Sequence, residues 1–196
     1  MTTLMSNWYA LYVKPRKEKD VELLLAERRF ESFSPSILER RRWSDRIRTT
    51  QRTLFPGYVF CRFEPQGAER QPVLTVPGVN WIVGNGREAV PVPEAEVEAL
   101  RRAVNSGLPL AEHDYLQQGD GVEILAGPLA GVRGILSQCA SMAKVVLSVE
   151  ILRRSVSVEV PRGDVRPLQD RRLDAVREVL SLSRAALANA KGAGRI

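Results

Sequence analysis

One stretch constrains this chain more than any other: Leu54-Phe55-Pro56-Gly57-Tyr58-Val59-Phe60-Cys61-Arg62-Phe63. Its Pro-Gly pair marks a tight turn, because proline presets φ at the second turn position and glycine supplies the positive φ at the third. The residues after the turn have the aromatic and branched content of a strand. At period two, Tyr58, Phe60 and Arg62 fall on one face and Val59, Cys61 and Phe63 on the other. One set must be core, and the other is free to be a docking surface.

The surrounding sequence predicts alternating short elements. Trp8 to Val13 reads as a buried strand stopped by Pro15, and Lys17 to Arg29 as a helix with Val21, Leu24, Leu25 and the stem of Arg28 on one face. Phe30 to Leu38 is extended and broken by Pro35. A short helix is expected over Gln66 to Val76 and a brief strand over Val79 to Val83. Pro93 to Val104 is expected to be a helix, with Glu94, Glu96 and Glu98 early and Arg101 and Arg102 late. This irregular alternation predicts an α+β sandwich over residues 1–107, an antiparallel sheet flanked by helices.

Residues 108–116 have linker composition, and beyond them the character changes. Gly121–Ala126, Val132–Cys139, Ala143–Ile151 and Ser155–Val160 are four short β-branched runs separated by glycine or polar turns. Val145, Leu147, Val149 and Ile151 share a face, as do Val156, Val158 and Val160, with Ser155, Ser157 and Glu159 outward. That pattern predicts a sheet wet on one side, closing into a small all-β barrel over 117–168. The tail, 169–196, is helical by pattern from Asp170 to Ala190.

Of 196 residues, 44% are hydrophobic and 27% charged, as in soluble globular proteins. No apolar run approaches the roughly 18 residues of a membrane span, and residues 1–9 lack a secretory pattern. A cytoplasmic location is expected. Cys61 and Cys139 sit in apolar runs and read as small buried hydrophobes. With a single histidine, His113, the chain is too poor in ligands for a four-coordinate zinc site. Neither an acid–base pair nor a nucleophile motif converges, so neither an enzyme nor a cofactor is expected.

The net charge of +6 is unevenly placed. Lys14 to Arg62 carries thirteen Lys and Arg against seven Asp and Glu, which is the whole excess. Arg40, Arg41, Arg42, Arg46, Arg48 and Arg52 oppose only Asp45, interleaved with Trp43, Ile47, Thr49 and Thr50 as on an extended hairpin turning near Ser44-Asp45. Arginine suits planar contacts with phosphates and bases, so this hairpin is a candidate nucleic-acid or polymerase contact.

Three blocks together resemble the NusG family of transcription elongation factors over residues 8–168. They are Trp8-Tyr9 with Lys14; Leu54 to Phe60 followed by Pro77-Gly78-Val79; and Gly119-Asp120-Gly121-Val122-Glu123-Ile124 with Gly127-Pro128-Leu129-Ala130-Gly131-Val132-Arg133-Gly134, similar to a KOW motif. The last block lacks the Gly-Lys-[Ser/Thr] ending of a phosphate-binding loop.

The resemblance implies a monomeric factor that docks on the β′ clamp helices of RNA polymerase, bridges to the β subunit and suppresses pausing or termination. It carries polymerase binding onto Tyr12, Phe55, Pro56, Tyr58 and Phe60, and the β bridge onto Glu69, Arg70 and Gln71. Lys14, Arg16, Lys17 and the hairpin arginines Arg40, Arg41, Arg42, Arg46 and Arg48 would then lie beside upstream or non-template DNA. The KOW domain would recruit ribosomal protein S10 or Rho through Ile151, Leu152, Arg153 and Arg154. Leu152 and Arg153 stand where housekeeping members have an aromatic and a glycine. A specialised RfaH-like factor, a general housekeeping factor and a free-standing KOW protein that binds RNA or the ribosome are the alternatives. The weak charge of the barrel segment counts against the last.

Overall fold

The computed structural model describes residues 6–43, 46–113, 115 and 119–168. The residues up to Arg166 form one compact unit and Pro167 onward a second. The expected tail helix lies outside the described residues, as does the Ser44-Asp45 turn.

The first layer is built on β1 (Asn7–Val13), which pairs antiparallel with β5 (Tyr58–Phe63) from Asn7 opposite Phe63 to Tyr12 opposite Tyr58. Outside these lie β2 (Glu31–Phe33) against β5, and β6 (Val79–Ile82) and the short β7 (Pro91–Val92) against β1. Three helices flank the strands: α1 (Glu18–Glu27), α2 (Arg70–Leu74) and α3 (Glu94–Asn105). The acids at the start of α3 and Arg102 at its end complement the helix dipole.

Both faces of β1 and β5 are covered. Tyr9, Leu11, Val13, Val59, Cys61 and Phe63 pack with Val21 and Leu25 of α1 and Val73 of α2. Arg28 ties these two helices together, donating to the Pro72 carbonyl and, at 2.9 Å, to Thr75 Oγ1. On the opposite face Trp8, Ala10 and Phe60 pack with Leu54, Phe55, Val97 and Leu100. That cluster runs on without interruption into the second sheet.

The second sheet is six-stranded, in the order β13-β9-β10-β11-β12-β8. Its strands are β8 (Leu110–His113), β9 (Asp120–Ile124), β10 (Arg133–Cys139), β11 (Met142–Val149), β12 (Arg154–Pro161) and β13 (Val165–Pro167). Short 3-10 turns at Glu150–Leu152 and Arg162–Asp164 separate the last three strands. The two layers are stitched by polar contacts. Arg102 of α3 donates to the carbonyls of Pro128 at 3.2 Å and Ala130 at 2.6 Å, and the Glu150 N–H donates to the Glu96 carboxylate at 3.3 Å.

The arginine-rich segment is a separate two-stranded sheet, β3 (Ser36–Trp43) and β4 (Arg46–Thr53), paired from Ser36 opposite Thr53 to Trp43 opposite Arg46.

Four expectations need correction. The segment read as a linker contains β8, which hydrogen-bonds along β12 from Leu110 opposite Val158 to His113 opposite Ser155. A polar strand such as Leu-Ala-Glu-His is held by backbone pairing, which leaves no apolar signature. Ser155 and Ser157 are buried rather than wet, and the Ser155 hydroxyl is satisfied by Ser148 at 2.8 Å. Ile151 leaves the strand for a 3-10 turn. Cys61 is buried, which pushes its thiol pKa up to about 12 by desolvation, but Cys139 at the end of β10 is exposed.

Candidate functional site

The Pro56-Gly57 turn is anchored from three sides. Gly57 takes φ +85°, and the Tyr58 N–H closes the turn on the Phe55 carbonyl at 3.1 Å. The Gly57 carbonyl accepts from the Val13 N–H at 2.8 Å. Its own N–H donates to the buried carboxylate of Glu18, at the start of α1, at 2.7 Å. Glu18 is thus a positioning residue that sequence reasoning missed. It lies 39 positions from Gly57 in sequence, a separation no local pattern reports.

Glycine is needed here for space as well as for φ: a Cβ at position 57 would stand 3.2 Å from the Tyr12 ring. Tyr12 meets Tyr58 edge-on, with ring centroids 5.5 Å apart, and stacks on Trp81 of β6 at 4.3 Å and 26°. Trp81 is 54% exposed, so the ladder Tyr58–Tyr12–Trp81 runs from half-buried to open surface. Trp81 was also missed; its signal was an aromatic residue in a strand that pairs with β1, opposite Tyr12.

The five residues that the family resemblance assigns to polymerase binding do not share one environment. Pro56 is exposed, and Tyr12 and Tyr58 are half-buried. Phe55 and Phe60 have no exposed area and meet edge-on at 6.3 Å, inside the cluster that continues into the second sheet. Tyr58 lies beneath the Arg154 guanidinium at 5.4 Å. The structure thus puts a residue expected to face polymerase against one expected to recruit the KOW partner.

Arg154 follows Arg153, which caps the Glu150–Leu152 turn at φ +46° and lies over the Tyr115 ring at 5.6 Å. Left-handed backbone suits glycine and strains arginine. Ile151 and Leu152 are half-buried beside them.

Glu69, Arg70 and Gln71 are exposed at the start of α2. Glu69 accepts the Glu64 N–H at 2.7 Å, and Arg70 reaches the Pro65 carbonyl at 3.5 Å. Lys14, Arg16 and Lys17 are exposed just after β1; Lys17 pairs with Asp20 at 2.7 Å, which raises its ammonium pKa. In the hairpin, Arg40, Arg41, Arg42, Arg46 and Arg48 occupy successive paired positions, with Arg41 opposite Arg48. Arg52, nearer its base, bridges Glu39 at 3.5 Å and Glu112 of β8 at 2.8 Å.

At the seam of the two layers burial pushes the pKa of Glu96 up, offset in part by the hydrogen bond from the Glu150 N–H, and the Glu150 charge raises it further. A carboxyl whose pKa is raised on folding favours the folded state below its ordinary pKa and loses that contribution as pH rises through the raised value. Glu96→Gln removes the dependence. Urea midpoints of the parent chain should therefore gain on those of the variant as pH falls towards 4.5, and a constant gap between the two would refute this.

Among the described residues no helix is long and apolar enough to cross a membrane. The NusG family model, described as "Transcription termination factor nusG", matches residues 6–101. The chain is 32% identical over 130 residues to the transcription termination/antitermination protein NusG of Deinococcus radiodurans, covering 59% of this chain and 68% of that protein. It is 26% identical to the NusG of Pseudomonas aeruginosa, covering 83% and 98%, and 23% identical to that of Helicobacter pylori, covering 84% and 99%. A solved structure concerning domain interaction in Thermotoga maritima NusG aligns with a TM-score of 0.48 at 22% identity, over 84% of this chain and 98% of that one. With the first match spanning the sheet around the Pro-Gly turn, and the Deinococcus protein matched over two thirds of its length, the chain belongs to the NusG family of transcription termination and antitermination factors.

Proposed function

We propose that this NusG-type transcription factor works by docking on the β′ clamp helices of RNA polymerase through the aromatic ladder beside the Pro-Gly turn. The exposed start of α2 (Glu69, Arg70 and Gln71) reaches towards the β subunit, and the bridged clamp pauses and terminates less often. The observation that carries this reading is the aromatic ladder in which Trp81 stacks on Tyr12 and Tyr12 meets Tyr58 edge-on, ending in an open ring on the sheet. Aromatic anchors on regular structure lose little entropy on binding and are the commonest hot spots of interfaces. Lys14, Arg16, Lys17 and the arginines of β3 and β4 provide the phosphate-facing charge for upstream or non-template DNA. The second sheet, read as a KOW domain, recruits a further partner such as ribosomal protein S10 or Rho through residues 151–154.

In the arrangement described above, Arg154 covers Tyr58, so full docking requires the second sheet to move away. Trp81→Ala removes an exposed ring and leaves the core intact. We expect it to weaken capture of core RNA polymerase by the full-length chain about tenfold, the effect of losing a peripheral aromatic anchor. Capture equal to that of the parent chain would overturn the docking surface.

A further inference from the structure

Arg153 and Arg154 carry no ion pair among the described residues. Each guanidinium instead lies over a tyrosine ring, Arg153 over Tyr115 at 5.6 Å and Arg154 over Tyr58 at 5.4 Å. These four side chains, with Ser155, line a cavity of about 580 Å³, a volume in the range of small-molecule sites. The acid in its wall, Glu112, is already committed to Arg52 at 2.8 Å, so among the described residues no carboxylate pairs with either arginine of the cavity. Arg153 also holds a left-handed backbone, +46°, in which glycine would be unstrained. Strain kept by a charged side chain at a cavity wall motivates a search for function.

A guanidinium held over a ring by cation–π attraction alone keeps its forked N–H donors for two oxygens of a phosphate. Tyrosine rings in the same wall offer flat surfaces to an aromatic base. We propose that the cavity binds a nucleoside phosphate, with the phosphates held by the forked donors of Arg153 and Arg154 and the base stacked on Tyr115.

Tyr58 reaches the cavity from β5 of the first layer; Tyr115, Arg153 and Arg154 come from the second. The ligand is therefore held only while the layers meet. By mass action it stabilises that arrangement and keeps Tyr58 covered. The effect on polymerase rests on the docking reading above; the binding does not.

The test uses the full-length chain, with ATP and GTP as probes and tripolyphosphate as the base-free control. Calorimetric titration should show saturable nucleotide binding, accompanied by a rise in thermal midpoint. Arg153→Gly removes the guanidinium and relaxes the backbone, so its circular dichroism should match the parent while affinity falls about tenfold or more, a lost charge-assisted contact. Tyr115→Ala should weaken ATP but not tripolyphosphate. The proposal is overturned by absence of saturable nucleotide binding, by affinity unchanged in both Arg153→Gly and Arg154→Gln, or by tripolyphosphate binding as tightly as ATP. Saturating ATP should also reduce polymerase capture by the parent chain and not by Arg153→Gly. If no form of the chain captures polymerase while ATP still binds the parent and is lost from Arg153→Gly, the docking reading fails and the nucleotide site stands.

Discussion

Phe60→Ala is expected to destabilise the chain by about 3–5 kcal/mol, the usual cost of deleting a fully buried phenyl ring. The ring has no exposed area and sits between Phe33 at 6.4 Å and Phe55 at 6.3 Å, at the junction where the first layer's core passes into the second sheet. Against a total stability of about 5–15 kcal/mol, that is enough to populate unfolded chain at modest temperature. Urea unfolding followed by far-ultraviolet circular dichroism measures it directly. A loss under about 1 kcal/mol would mean that the site collapses around the gap far better than packed cores do. The practical consequence is that lost polymerase binding by Phe60→Ala would report unfolding rather than docking. Trp81 is the residue to change when docking is the question.

The second large effect is expected at Gly134, the last residue of the glycine-rich block, where it enters β10 of the second sheet. An added Cβ there would meet the Val146 carbonyl oxygen at 2.6 Å and Val145 Cγ1 at 2.7 Å. The first of these is backbone of the neighbouring strand, which cannot rotate aside. Gly134→Ala should force β10 away from β11 and cost about 3 kcal/mol, the upper end for overpacking. Gly163→Ala is the matched control, because a Cβ there meets nothing within 4 Å. A shift in urea midpoint as small for Gly134→Ala as for Gly163→Ala would show that the strands separate freely.

Local signals made much of the architecture legible. Pro56-Gly57 marked the turn, alternation marked β5 and β12, and the acids ahead of Arg102 marked α3 and its direction. Period two also divided Tyr58 and Phe60 from Val59 and Cys61 correctly, but it could not say that both faces would be covered. That depends on α3 and the second sheet returning to the first layer, and the contacts responsible, such as Arg102 to the Ala130 carbonyl, join residues far apart in sequence. The same holds for Glu18 beneath the turn and for Arg154 over Tyr58. Ser155 and Ser157 misled because a hydroxyl is silent about burial when a neighbour can satisfy it, as Ser148 does for Ser155. Cys139 misled in the opposite direction, since an apolar run says nothing about which end of a strand projects into solvent.

The pairing of Leu110–His113 with β12 sets the leash between the two layers. Helix α3 ends at Asn105 and the next paired residue is Leu110, so only Ser106 to Pro109 are free to stretch. Four extended residues span about 14 Å. While this strand stays zipped, the layers can part only by about the width of one helix with its side chains, and their mutual effective concentration stays high enough to snap them shut again. Peeling it from β12 would lengthen the leash to about fourteen residues, or roughly 45–50 Å. The backbone bonds along the four paired positions of this one edge strand thus act as a ratchet pawl that separates a narrow gape from free swinging.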